Sequence, residues 1–427
     1  MSLKKELRKG FLKLTRQYKK QPKPQEKPAA ASAKAVYNMP IEMVITNILT
    51  EEDFAANKRF TEAMRQRPLP QNPKKIMCFL PYGDAGAFLA GGYRTIMAIN
   101  DALSRRFDAM VYLCFFPEIA DENLLQRFRE NTAQHFPQMK YEIVPLNRAL
   151  DLETDIALCN FWLGAYPLVK YNRCQAKFML VQDHESRFYP SGIIASLAEN
   201  TLDFGFYKLT NSEALKRYAL YKDATAPVFR YVPGIDHKLY YPPKKRNFDK
   251  DIYRILFYGR PSIPRNAFDL AALICKNVKA ELGSRVEIIS AGENYDPAFY
   301  GLNSVVYNLG KLNSLQQLAE LYRSCDIGIS LITTPTFSYQ HLEFMASGMC
   351  LVTNSQEGVN DFLTDGENAI VGAPSPYILS RKIIELVNNP QLMSKISRNA
   401  LQLTEKLNWE DCFNSIADFV TTGKSEN

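Results

Sequence analysis

"YRILFYGRPSIPRNAF", residues 253–268, decides the fold. Ile255, Leu256, Phe257 and Tyr258 are apolar without alternation, the pattern of a strand covered on both faces. Gly259 ends the run, Arg260 follows it, and a helical pattern occupies residues 266–282. A buried strand that passes straight into a helix is the unit of a parallel, doubly wound sheet. The question is whether the chain repeats that unit on both sides.

It does. On the N-terminal side, "KIMCFLPY" (75–82) reads as a buried strand and "GGYRTIMAINDALSRR" (91–106) as a helix. "DAMVYLCFF" (108–116) is a strand, "ENLLQRFRENTAQHF" (122–136) a helix, and "YEIVPL" (141–146), "DIALCNFW" (155–162) and "AKFMLVQD" (176–183) are further strands. "FGFYKLTNSEALKRYALY" (204–221) gives a strand and a helix, and "FRYVPGIDHKLYYP" (229–242) closes this half. On the C-terminal side the alternation continues through "RVEIISAG", "VVYNLGKL", helix 314–324, "IGISLIT", helix 339–347, "CLVTN" and helix 376–388. The expected class is α/β, with two facing doubly wound Rossmann-like domains and a cleft at the carboxyl ends of both sheets. Ligands bind there in open α/β sheets. The expected boundaries are a basic tail and linker at 1–35, an N-terminal Rossmann-like domain at 36–236, a C-terminal Rossmann-like domain at 237–405 and a closing helix at 406–427. "LNWEDCFNSIADFV" (407–420) supplies that helix, with Trp409 packing against a domain.

Composition agrees with two soluble domains. The chain has 427 residues, 46% hydrophobic and 23% charged, too long for one ordinary core. The formal charge is +7, but residues 1–35 alone carry +9, which leaves the remainder at −2. A near-neutral folded part argues against nucleic acid as a partner. The tail "MSLKKELRKGFLKLTRQYKK" spaces Leu3, Leu7, Phe11, Leu14 and Tyr18 at helical intervals among lysines and arginines. Residues 1–20 fit either peripheral contact with an anionic membrane face or a solubilising tail. Eight cysteines without a Cys-x-x-Cys pair indicate buried free thiols in a reducing compartment, hence a cytoplasmic location. Four scattered histidines give no zinc spacing. No run is long enough to span a bilayer, and no Gly-x-Gly-x-x-Gly marks a dinucleotide site.

Five constellations carry chemistry. Arg260 stands at the carboxyl end of its strand, and Arg265 precedes a helix; a guanidinium fork and a helix N-terminus both suit phosphate oxygens. Lys311 also follows a strand and a glycine and adds a second positive charge. "PTFSYQHLEFMASG" (335–348) starts a helix near Ser338, an N-cap whose amides can take a phosphate, with Glu343 one turn inside. That carboxylate matches a ribose diol, since its two oxygens can each accept from one of two vicinal hydroxyls. Gly91 and Gly92 open a helix after the first strand, where backbone amides can approach a ligand closely. Gln182, Asp183, His184 and Glu185 cluster past another strand, as sugar or acceptor contacts or as helix-capping residues of a loop. "DKD" at 249–251 fits an Asp-x-Asp metal pattern, but it precedes a strand and reads as a solvated loop.

Taken together, these residues resemble a family. "PGIDHKLYYP", "FYGR" and the Glu of "LEFMASG" are similar to the hinge, phosphate and ribose motifs of GT-B glycosyltransferases of the retaining family 4 type. "FYGRPS", "RNAF" and "LGKL" resemble more closely the bacterial rhamnosyltransferases of S-layer and rhamnan glycan assembly. The resemblance covers residues 75–420. It implies a metal-independent transferase without a cofactor, whose donor is a nucleotide-diphospho-sugar, dTDP-L-rhamnose, and whose acceptor is a glycan or lipid-linked glycan. Arg260 and Lys311 would stabilise the leaving diphosphate. Gly259, Arg265, Ser338 and Tyr339 would help to bind the nucleotide, Glu343 the nucleoside sugar, and Gly91 and Gly92 would contact the donor from the other domain. The family's Glu-x7-Glu motif would start at residue 335, which here is Pro335. That departure admits a non-catalytic GT-B shell that binds a nucleotide-sugar or glycan as the competing reading.

Overall fold

A computed structural model describes residues 49–81, 91–119 and 121–424. The basic segment 1–20 and the linker to residue 35 lie outside the described residues, as does Tyr82. The first sheet consists of β1 Lys75–Pro81, β2 Met110–Phe116, β3 Tyr141–Ile143, β4 Ile156–Asn160, β5 Ala176–Val181, β6 Tyr207–Thr210 and β7 Val228–Arg230. Its order is β3-β2-β1-β4-β5-β6-β7, and every pairing is parallel. The second sheet consists of β8 Tyr253–Gly259, β9 Val286–Gly292, β10 Val306–Asn308, β11 Ile327–Ile329, β12 Cys350–Asn354 and β13 Ile370–Gly372. Its order is β10-β9-β8-β11-β12-β13, again parallel throughout. In each sheet the strand order reverses beside the first strand, at β1/β4 and at β8/β11. The reversal leaves a crevice at the strands' carboxyl ends.

The apolar runs become central strands because both of their faces are covered. Ile76, Cys78 and Leu80 of β1 point into one core cluster, and Met77 and Phe79 into another on the opposite face. In the second domain Ile255 and Phe257 face one cluster and Leu256 the other. All eight cysteines are free and buried, and burial raises their thiols above the ordinary range.

Three expectations need correcting. "DIALCNFW" is not one strand: β4 stops at Asn160, Phe161 adopts φ +62°, and helix Phe161–Lys170 begins. That helix is buried almost all round, so it carries no polar stripe to announce it. A Cβ on Gly164 would lie 2.9 Å from the Phe79 carbonyl, so this glycine lets the helix press on β1. "YEIVPL" is strand only to Ile143, and Pro145 caps a helix from Leu146 to Asp151. The helix Pro390–Thr404 and the short β13 had no sequence signal assigned.

The last helix, Trp409–Thr422, returns to the first domain. Cys412, Ile416, Phe419 and Val420 join that domain's core, and Phe419 stacks on Phe229 with ring centroids 5.1 Å apart. Trp409 stacks on Phe413 and lies 6.0 Å from the Tyr339 ring. The chain thus crosses between domains twice. The crossings touch: Ile235 N–H donates to the Leu407 carbonyl at 3.2 Å, and Ile235 bridges Asn408. A Cβ on Gly234 would overlap the backbone of Asn408 and Trp409, so only glycine fits.

Candidate functional site

The site is built where β8, β9 and β10 end. Gly259 closes β8 and Gly292 closes β9, and Gly310 lies just past β10. The Gly292 N–H donates to the Gly310 carbonyl at 3.0 Å, and the Glu293 N–H to the Gly259 carbonyl at 2.9 Å. Side chains are excluded from this edge. A Cβ on Gly292 would meet the Gly259 carbonyl oxygen at 2.7 Å and Arg260 Cγ at 2.8 Å, and Gly292 and Gly310 have φ of +148° and +71°. The result is a glycine-floored edge from which Arg260 and Lys311 each project one residue further on.

Arg260 is held in place. Its guanidinium lies 3.0 Å from the Tyr258 hydroxyl and 3.4 Å from Glu293, and the side chain is 30% exposed. Burial opposes its charge, but Tyr258 and Glu293 outweigh that effect and hold the guanidinium firmly protonated. The Glu293 carboxylate also accepts from the Ser262 N–H at 3.1 Å and from the Ser262 hydroxyl at 2.5 Å. The loop after β8 therefore already gathers three donors, Arg260 and two from Ser262, around an anion. Glu293 was missed in the sequence. The rule that picked out Arg260, the residue after a glycine that ends a strand, would have found it after Gly292. Lys311 is exposed, and its backbone N–H is held by Asn294 at 3.2 Å.

Opposite this edge, the chain leaves β11 and enters helix Tyr339–Ala346. Ser338 caps that helix, its hydroxyl accepting from the Gln340 N–H at 3.3 Å. The loop before it is tied to the Arg260 loop, because the Thr333 N–H donates to the Arg265 carbonyl at 2.9 Å. Glu343 is half-buried. Burial raises its carboxyl above the usual range, while the Arg94 guanidinium and the Tyr240 and Tyr322 hydroxyls partly restore its charge. Arg94 comes from the helix Gly91–Phe107 of the first domain. It was passed over because an arginine within an amphipathic helix reads as solvated. His341 is buried beside Glu343; burial pushes its imidazole down to about 4, so it is neutral, with Nε2 3.0 Å from the Ser330 carbonyl.

Several expected ligand contacts are occupied by the protein itself. A Cβ on Gly91 would lie 2.8 Å from Tyr339 Cδ2, and one on Gly92 would lie 3.0 Å from Gln182 Oε1. These glycines therefore admit neighbouring side chains. The Tyr339 hydroxyl takes a hydrogen bond from Gln182 at 3.1 Å and lies 3.1 Å from the Tyr231 hydroxyl. Tyr339 and Gln182 thus join the two domains. Asp183 faces Arg265 across the cleft at 3.6 Å, and burial raises its carboxyl despite that guanidinium. His184 turns into the first domain, with its ring 4.0 Å from that of Tyr218 and Nε2 3.5 Å from Glu199. Glu185 accepts from the Trp162 N–H at 2.6 Å, and burial pushes its carboxyl up to about 8. Among the described residues no group of three or more His, Cys, Asp or Glu is arranged to hold a metal ion.

The chain is similar to known proteins. Residues 253–384 match the family model described as the WsaF C-terminal domain. The O-antigen biosynthesis protein RfbC of Myxococcus xanthus is 33% identical over 266 residues, which cover 62% of this chain and 20% of that one. The chain therefore spans about a fifth of that relative's length. An uncharacterized glycosyltransferase of Methanocaldococcus jannaschii, MJ1178, is 21% identical over 333 residues, covering 68% of this chain and 90% of that one. Among solved structures, Anabaena HepE in complex with UDP superposes with a TM-score of 0.63 at 18% identity over 81% of this chain and 99% of that one. The fold is GT-B, the two-domain architecture of many glycosyltransferases.

Proposed function

We propose that this chain is a glycosyltransferase of surface polysaccharide assembly, moving a 6-deoxyhexose from a nucleoside diphosphate onto a growing glycan. One observation carries the reading. Arg260 and the Glu293-filled donor nest stand at the switch point of the second sheet, beside the strand β11 from which the chain runs on to helix Tyr339–Ala346. Rigid donors converging on one point of a crevice suit a diphosphate. Arg260 and Lys311, with Arg265 at the rim, stabilise the charge that grows on the leaving diphosphate. Glu343 accepts from the nucleoside sugar, which in dTDP offers one free hydroxyl, at carbon 3′, and Arg94 beside it offsets the carboxylate. The bond from the sugar's anomeric carbon to the diphosphate oxygen breaks as the acceptor oxygen bonds to that carbon. The acceptor's proton passes to the departing phosphate oxygen, so no side chain acts as nucleophile.

The donor is dTDP-L-rhamnose. The match to the WsaF C-terminal domain and the similarity to RfbC, an O-antigen biosynthesis protein, support a surface-glycan role. Pro335 supports a deoxy sugar, since a donor with fewer hydroxyls needs fewer carboxylate contacts. The same proline favours the second reading, a GT-B shell that binds nucleotide-sugar or glycan without turnover. The glycan is lipid-linked, and residues 1–20 bring the enzyme to the inner face of the membrane.

A bound donor stabilises the folded state by mass action, so thermal unfolding with a panel of nucleoside diphosphates and their sugars tests the site. Stabilisation by dTDP and dTDP-L-rhamnose, lost in Arg260→Ala, is expected. No stabilisation by any nucleotide would overturn the assignment. Stabilisation without sugar transfer would favour the non-catalytic shell.

A further inference from the structure

A second pocket opens beside the diphosphate cradle and has a different character. Its volume is about 450 Å³, within the range of small-molecule sites. Phe188, Tyr189, Ile193 and Ile194 of the first domain form one wall, and Ile263 and Arg265 of the second domain lie on the other. These residues follow β5 and β8, so the pocket lies at the carboxyl ends of both sheets. Ser262, Ile263 and Arg265 line the pocket and belong to the same loop as Arg260, so that loop serves both cradle and pocket.

The lining is strongly one-sided. Ile193 is 58% exposed at the start of helix Ile193–Asn200, and Ile194, Ile263 and Phe188 surround the same space. The polar side chains of the lining are Arg187, Ser262, Arg265 and the Tyr189 hydroxyl. The Arg265 guanidinium stacks over the Phe188 ring at 4.2 Å and lies 3.6 Å from Asp183. Phe161, held at φ +62°, stacks in turn on Phe188 with centroids 6.4 Å apart. A non-glycine residue in that conformation is uncommon, and such strain collects at functional sites.

We propose that this pocket is an acceptor subsite, and that it takes the terminal sugar of a glycan by an apolar edge, with a deoxy carbon against the isoleucines. This rests on the transferase reading given above. Aromatic rings and isoleucines favour ring C–H groups and a methyl. Arg187, Ser262 and Arg265 can exchange hydrogen bonds with hydroxyls. A hydroxymethyl group turned to the isoleucine end would lose its water without gaining a partner.

Saturation-transfer NMR on the full chain preloaded with dTDP tests the subsite without requiring turnover. The probes are methyl α-L-rhamnoside and methyl α-L-mannoside, which differ by one hydroxyl at carbon 6. The rhamnoside is expected to bind about tenfold more tightly, with saturation strongest at its methyl. Ile193→Asp and Ile193→Ser, at an exposed position that leaves the core intact, are expected to weaken it about tenfold while dTDP affinity stays within twofold. Equal binding of the two sugars would overturn the proposal, as would undiminished binding by both variants. Rhamnoside binding without transfer would keep the subsite and reject the enzyme; transfer with unchanged acceptor KM in Ile193→Asp would keep the enzyme and reject the subsite.

Discussion

In the proposed function Arg260 and Glu343 divide the nucleotide between them, and each has a distinct signature. Losing one preorganised donor to a leaving oxyanion typically costs about 10²–10³-fold in kcat. Arg260→Ala is expected to fall in that range, and unchanged kcat in a steady-state assay would remove Arg260 from the machinery. Glu343→Gln keeps the shape but loses the charge that strengthens the hydrogen bond from the nucleoside sugar's 3′-hydroxyl. Nucleotide affinity is expected to fall about tenfold, which calorimetry reads directly. Glu185 makes a prediction about pH. Its folded carboxyl titrates near 8, well above the unfolded value of about 4.3. Between those values the folded state holds the extra proton, so this contribution is full below the unfolded value and is lost as pH rises towards 8. Glu185→Gln cannot titrate. Its urea midpoint is therefore expected to gain on the wild type steadily from pH 5 to pH 8; parallel curves would refute the burial of that carboxyl.

At the scale of elements, the sequence showed the strands better than the helices between them. "YRILFYGR" and "KIMCFLPY" are legible because a strand covered on both faces must be apolar throughout. The helix Phe161–Lys170 is illegible for the same reason. It is apolar on every side and holds Gly164 and Pro167, so it reads as more strand. The site divides similarly. Arg260, Arg265 and Glu343 follow from position at strand ends and helix starts. Arg94 and the domain-joining role of Tyr339 depend on which helix faces which, information that no local pattern carries. Gly234 was part of a quoted hinge motif, but its reason appears only when the two crossings touch. Gly234→Ala forces a methyl into the backbone of Trp409. A loss of about 1–3 kcal/mol is expected from overpacking, measured as a lowered urea midpoint.

At the scale of the molecule, the two domains are joined across the cleft by few, specific contacts. Tyr339 meets Gln182 and Tyr231, the Thr336 hydroxyl reaches the Gln182 carbonyl at 3.3 Å, and the Glu213 N–H donates to Asp361 at 2.6 Å. Tyr339→Phe removes two of these contacts and leaves the ring in place. Small-angle scattering is expected to show a larger radius of gyration for the nucleotide-free variant than for the wild type, with the difference closing on addition of dTDP. Among the described residues no helix is long and apolar enough to cross a membrane.

The central claim is that this cleft breaks a sugar–diphosphate bond and passes the sugar on. The most direct measurement is the release of dTDP from dTDP-L-rhamnose in the presence of a rhamnosylated acceptor, with the extended glycan weighed by mass spectrometry. Equal amounts of dTDP and of acceptor heavier by one deoxyhexose are expected, both formed about 10²–10³-fold more slowly by Arg260→Ala. Release of neither product, with dTDP-L-rhamnose and with the other nucleotide-sugars that stabilise the protein, would contradict it.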